Sequence, residues 1–156
     1  MVLSGIYDGE IEAFHDFAAR TGMEVRFLEL LPSGPARGLY ANHFHSVDRL
    51  LERLERHAGF LLDLPSAADS TAFRKQSSAG ATLGFVAGQS RPFCGSCSRL
   101  RLSSRGELHP CLFREESIPL RGLEPNEVRD RIRGALALKP ALRGAETPES
   151  LGKIGG

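Results

Sequence analysis

All three cysteines of this 156-residue chain fall in one stretch. Cys94 and Cys97 flank a Gly-Ser pair, and Cys111 follows after a segment that reads as a hairpin. Cys-x-x-Cys lets two thiolates face one metal centre, and a third thiolate from a neighbouring strand completes a three-sulfur face. Arg99 and Arg101 follow at strand alternation, so both can point to the same side. Soft anionic ligands beside two forked cations suggest a metal site that meets an anionic substrate, such as a phosphate or a purine.

The spacing leaves two metals open. A structural zinc normally takes four protein ligands, and His109 neighbours Cys111 too closely to be an easy fourth. Three thiolates also suit a four-iron cluster, holding three irons and leaving the last one open. A redox Cys-x-x-Cys is disfavoured because no helix start follows Cys97. On frequency alone, Arg99 and Arg101 would be solvated strand residues. Their position directly after a metal ligand favours the functional reading.

The apolar and charged fractions are ordinary for a soluble domain. A net charge of +1 predicts no nucleic-acid partner. From Arg91 to Arg114 the bases are Arg91, Arg99, Arg101, Arg105 and Arg114 against the single acid Glu107, a local basic patch. No apolar run is long enough to span a bilayer and no secretory signal is evident, so no membrane partner is expected. Three clustered cysteines fit no even disulfide framework, and a reduced cytoplasmic metal site is the expectation.

The surrounding elements must position these groups. Val2 and Leu3 read as the end of a strand. Asp8 reads as the N-cap of a helix whose apolar face is Ile11, Phe14, Phe17 and Ala18, stopped at Gly22. Residues 24–31 read as a strand with Arg26 and Glu29 embedded in it, each needing a partner. Together these make a right-handed parallel unit. A mixed loop is expected over 33–45. Ser46 then caps a helix to about Ala58, with Val47, Leu50, Leu51 and Leu54 as its apolar face and Gly59 as its stop. Strands are expected over 60–64, 71–76, 80–87, 100–103 and 108–113, with a turn at Ser104-Arg105-Gly106 returning Cys111 towards Cys94 and Cys97. A loop over 119–125 leads into a helix over 127–138 with Val128, Ile132, Ala135 and Leu136 inward. The Gly- and Pro-rich remainder reads as flexible. His15, His43, His45 and His57 have no ligand-like spacing with the cysteines.

Phe93-Cys94-x-x-Cys97-x-Arg99-Leu100-Arg101-Leu102, with Gly106-x-Leu108-x-Pro110-Cys111-Leu112-Phe113, resembles the C-terminal cluster motif of the GTP 3',8-cyclase family. These are radical S-adenosylmethionine enzymes of molybdenum cofactor biosynthesis. Arg26 to Pro32, the turn from Gly5 to Glu10, Leu83 to Val86, Lys139-Pro140 and the terminal Ile154-Gly155-Gly156 agree with it. The resemblance implies an α/β fold: the C-terminal part of an incomplete (β/α) barrel, then a small α+β cluster-binding region. The corresponding divisions are a barrel remnant over 1–58, an iron–sulfur and GTP-binding region over 59–140, and a tail over 141–156.

The resemblance further implies that Cys94, Cys97 and Cys111 bind a 4Fe–4S cluster whose open iron takes the guanine of GTP. Arg99, Leu100, Arg101 and Arg26 would line the GTP site, and Gly155 and Gly156 would reach towards it. Leu31 stands where the family has a methionine that contacts S-adenosylmethionine. Tyr7, Ser98 and Arg143 also depart from the family pattern. The Cys-x-x-x-Cys-x-x-Cys motif of the radical-generating cluster is absent. The chain is therefore expected to be the substrate-binding half of a cyclase, through truncation, a split gene or a separated domain. It would be inactive alone and would use S-adenosylmethionine only with a complementary N-terminal half. A non-catalytic zinc or nucleotide-binding module is the competing reading. Residues 1–31 are expected to present an open sheet edge and to self-associate, and residues 59–138 to be the stable core.

Overall fold

A computed structural model describes residues 1–32, 36–68, 70–114 and 116–139. The elements are α1 (Ile11–Thr21), β1 (Val25–Leu28), α2 (Arg37–His43), α3 (Val47–Ala58), β2 (Leu61–Leu64), β3 (Phe73–Ser77), β4 (Thr82–Val86), β5 (Arg101–Leu102), β6 (Glu107–His109), β7 (Ile118–Pro119) and α4 (Pro125–Ala137). The fold is mixed α/β, and the chain divides into two compact units between Phe93 and Cys94.

The first unit carries a four-stranded mixed sheet in the order β1-β4-β3-β2. β1 runs parallel to β4, with Phe27 opposite Phe85, while β2, β3 and β4 form an antiparallel meander. Strands that follow residue 58 thus share a sheet with β1. Phe27 and Phe73 both stack on Phe85 at the sheet centre. Ile11 and Ala18 of α1 and Val47, Leu50, Leu51 and Leu54 of α3 complete the core. The α3 expectation holds in detail: Ser46 Oγ accepts the Arg49 N–H, and Gly59 ends the helix at φ 75°.

Four local expectations fail. Asp8 does not cap α1; it lies in a short 3-10 turn, Asp8–Glu10, and accepts the Gly5 N–H instead. His15, not Phe14 or Phe17, shares the inward face with Ile11 and Ala18, because Ile11, His15 and Ala18 recur at i, i+4 and i+7. The parallel neighbour of β1 is β4 rather than a strand at Val2-Leu3. Val2 gives a single N–H to the Leu28 carbonyl, and Leu3 forms an isolated antiparallel bridge with Phe44. A helix, α2, occupies part of the expected 33–45 loop.

The second unit is a three-stranded antiparallel sheet, β5-β6-β7, with α4. The β5–β6 turn is the expected one. Gly106 stands at φ 80°, and a Cβ there would lie 3.3 Å from the Cβ of Arg121. β7 was not foreseen: Ile118-Pro119 falls in the expected loop, and its pairing with Leu108 and Glu107 adds the third strand. Glu124 and Glu127 close a capping box at the start of α4, with Pro125 at its first turn. Ala135 alone of the four expected inward residues is fully buried, and Leu136 is exposed.

The apolar core lies in the first unit, and Val2 and Phe27 belong to it. This corrects the expectation that residues 59–138 form the stable core. In the second unit only Leu108, Phe113 and Ala135 are buried apolar residues among those described.

Candidate metal centre

Cys94 and Cys97 are held by a short 3-10 turn, Cys94–Ser96, in which the Cys97 N–H donates to the Cys94 carbonyl at 3.3 Å. Cys111 follows β6, which pairs Arg101 with His109 and Leu102 with Leu108. The hairpin therefore carries the chain back from Cys97 to Cys111 within one unit. All three cysteines are of intermediate burial, and none is in a disulfide. The Phe113 N–H points at Cys111 Sγ at 3.4 Å, a contact that metal-bound sulfur commonly receives.

Lys139 ties the two arms of this hairpin. Its ammonium donates to the Arg99 carbonyl at 2.6 Å and to the Pro110 carbonyl at 2.9 Å. One carbonyl lies two residues after Cys97 and the other immediately before Cys111, so a single cation bridges the cysteine-bearing segments. The sequence marked Lys139 only as the end of a helix.

Arg99 is exposed and precedes β5, Leu100 is half-buried, and Arg101 is a half-buried residue of β5 opposite His109. The basic patch is smaller than its composition suggested. Arg91 belongs to the first unit, where it pairs with Asp48 at 2.5 Å and covers the Phe73 ring, and Arg114 lies 3.6 Å from Glu116. His109 is buried, and neither of its ring nitrogens has a hydrogen-bond partner. An orphaned imidazole two residues before Cys111 is the kind of defect that a missing ligand atom leaves.

Arg26 and Glu29 are not each other's partners. Glu29 is buried at the end of β1 and accepts the N–H groups of Val47, Gln89 and Ser90 at 2.8, 2.8 and 3.0 Å, together with the Ser90 hydroxyl. It joins the start of α3 and the segment after β4 to the end of β1. Arg26 is largely exposed and bonds Glu24 at 2.6 Å, while Arg74 holds the other Glu24 oxygen at 2.9 Å. The Arg26 hydrogen bond, with Arg74 beside it, keeps the Glu24 carboxyl below its ordinary range. Gly84 makes room for this bridge, since a Cβ there would stand 2.9 Å from Arg26 Cγ. Arg26 also lines a 460 Å³ cleft with Met1, Tyr7, Glu10 and Phe14. Leu31 packs over Gly88. Gly155 and Gly156, with the rest of the 141–156 tail, lie outside the described residues.

Residues 23–144 match the family model described as Molybdenum Cofactor Synthesis C. The chain belongs to this family. It is 38% identical to the GTP 3',8-cyclase of Synechocystis sp. over 156 residues, which is 100% of this chain and 47% of that protein. It is 35% identical to that of Aeromonas hydrophila subsp. hydrophila over 90% of the chain and 43% of the relative, and 34% identical to that of Rhodobacter capsulatus over 90% and 45%. The chain spans about half the length of the curated relatives it matches. No helix among the described residues is long and apolar enough to cross a membrane.

Proposed function

We propose that this chain is the C-terminal, substrate-binding part of a GTP 3',8-cyclase, with Cys94, Cys97 and Cys111 as ligands of a 4Fe–4S cluster. The observation that carries the reading is the hairpin that returns the chain from Cys94 and Cys97 to Cys111 within one small unit, in a chain of this family. Membership of this family supports a cluster over a single zinc, since three thiolates would hold three irons and leave the fourth open. When bound, the cluster supplies an open iron that can take a base nitrogen or oxygen of GTP.

The protein's own groups bind and orient the rest of the substrate. Arg99 presents an exposed guanidinium beside the cluster ligands, suited to phosphate. Lys139 fixes the loop that carries it. Arg101 and Leu100 would contact the base or ribose. Radical generation from S-adenosylmethionine belongs to a complementary barrel half, which would continue the sheet at the outer edge of β1. Exposed Met1, Tyr7 and Phe14, beside that edge, provide the apolar surface for it.

The test is anaerobic reconstitution followed by iron, sulfide and zinc analysis and equilibrium binding of GTP. About four irons and four sulfides per chain are expected, and Arg99→Ala or Arg101→Ala should weaken GTP binding by about 1.5–3 kcal/mol with cluster absorbance retained. Stoichiometric zinc without sulfide would overturn the cluster assignment. Unchanged GTP affinity in both variants would overturn the arginine roles.

A further inference from the structure

Away from the cysteines, α1 and α3 bring together His15, Asp16 and His57. Asp16 Oδ1 lies 2.9 Å from His15 Nδ1 and 2.8 Å from His57 Nε2. Among the described residues this is the one set of three His, Cys, Asp or Glu side chains whose ligand atoms all lie within 4.8 Å of one another. The two imidazoles are nearly perpendicular, at 86°, with centroids 5.2 Å apart, so their nitrogens approach Asp16 from different directions. His15 is buried, and its other nitrogen, Nε2, lies 2.9 Å from Ser77 Oγ on β3.

We propose that His15 Nδ1, His57 Nε2 and Asp16 Oδ1 form a binding site for a divalent transition cation, with Ser77 as the outer partner that orients His15. Two imidazoles and one carboxylate suit zinc, cobalt, nickel or iron(II) rather than magnesium or calcium, which prefer all-oxygen sites. Ligand atoms about 2.0–2.2 Å from such a cation stand roughly 3 Å apart, and two of the three separations here are already of that size. Rotation of His57, which is partly exposed in the last turn of α3, closes the third. In the bound state His15 keeps its proton on Nε2 and donates it to Ser77 Oγ, whose second lone pair takes the Ala81 N–H, 3.2 Å away. Nδ1 then offers its lone pair to the cation.

The same atoms contain a Ser77–His15–Asp16 chain that resembles a hydrolase triad. Ser77 is buried, and its oxygen is engaged by the Ala81 N–H, so it is no nucleophile for an external substrate. Metal binding uses the face of the cluster that is open, where Asp16 is more than half exposed.

Cobalt(II) titration tests the site, because thiolate-to-cobalt charge transfer separates any binding at the cysteines from nitrogen and oxygen ligation. The full chain is titrated, together with a variant carrying Cys94→Ser, Cys97→Ser and Cys111→Ser. One equivalent bound with d–d bands and no thiolate band is expected, weakened at least about 10-fold by His57→Ala and by Asp16→Asn. His57 and Asp16 are surface positions, so both variants should fold, and circular dichroism checks this. Absence of an equivalent free of thiolate bands in the full chain, or an equivalent that persists with unchanged affinity in His57→Ala, would overturn the proposal.

Discussion

The four-stranded sheet buries Leu83 and Phe85 completely beneath two helices, whereas on the strands of the three-stranded sheet Leu108 is the single buried apolar residue among those described. Among the described residues, all but three of the buried apolar residues lie in residues 1–93. The first unit is held by an apolar core, closed by the buried Glu29 carboxylate. The second is held by a positive-φ turn, a capping box, the Lys139 clamp and very little burial. A unit this small, with so few buried apolar side chains, falls in the range where natural domains rely on a metal or a covalent link. Under the proposed assignment, cluster binding by Cys94, Cys97 and Cys111 would supply the stability that this unit does not draw from burial.

The largest effect should come from removing them. Cys111→Ser should abolish cluster incorporation and raise amide hydrogen exchange across residues 94–139, while protection of β1, β3 and β4 stays unchanged. Equal protection of the second unit with and without its ligands would break the contrast.

Glu29→Ala strips the acceptor from three backbone N–H groups and should lower the stability of the first unit by about 3 kcal/mol in denaturant titration. It should leave iron content intact. Lys139→Met removes two charge-assisted bonds from the cysteine hairpin and should cost about 1 kcal/mol. It should also hasten iron loss to a chelator, with Lys139→Arg restoring part of the retention. An iron-release rate matching that of the parent chain would assign Lys139 to the surface.

The smallest effect concerns the α1–α3 contact. Arg53 binds both Glu12 oxygens, at 2.5 and 2.8 Å, and this hydrogen bonding holds the Glu12 carboxyl below its ordinary value of 4.5. A depressed carboxyl pKa contributes stability that is present at neutral pH and lost as the pH falls through the lowered value. Glu12→Gln should therefore cost about 0.5 kcal/mol at pH 7 and should flatten the acid limb of the stability profile below pH 4.5. The second unit should show no change.

What could be read from sequence follows the same division. α3 was fully legible because its cap, apolar spacing and terminal glycine agree. The β5–β6 hairpin was legible because Gly106 punctuates it. α2 was not, since none of its residues is buried and no apolar face marks it. β7 is two residues long and contains a proline, so no strand pattern exists to be read. Phe14 and Phe17 mimic a buried face, but the inward position between Ile11 and Ala18 belongs to a histidine. The partners of Glu29 are backbone amides that sequence leaves anonymous. The return of Cys111 towards Cys94 and Cys97 was legible from the turn between β5 and β6, whereas the Lys139 clamp and the His15–Asp16–His57 cluster depend on contacts between elements far apart in the chain.

The Glu29 staple also bears on the rates of folding and unfolding. Its acceptors engage groups 18, 60 and 61 residues away, so the staple closes only after α3 and β4 have docked beside β1. An interaction missing from the transition state slows escape from the native state without hastening arrival there. In a chevron plot, Glu29→Ala should then steepen nothing on the folding limb and raise the unfolding limb alone, which makes this carboxylate a latch on the lifetime of the native sheet.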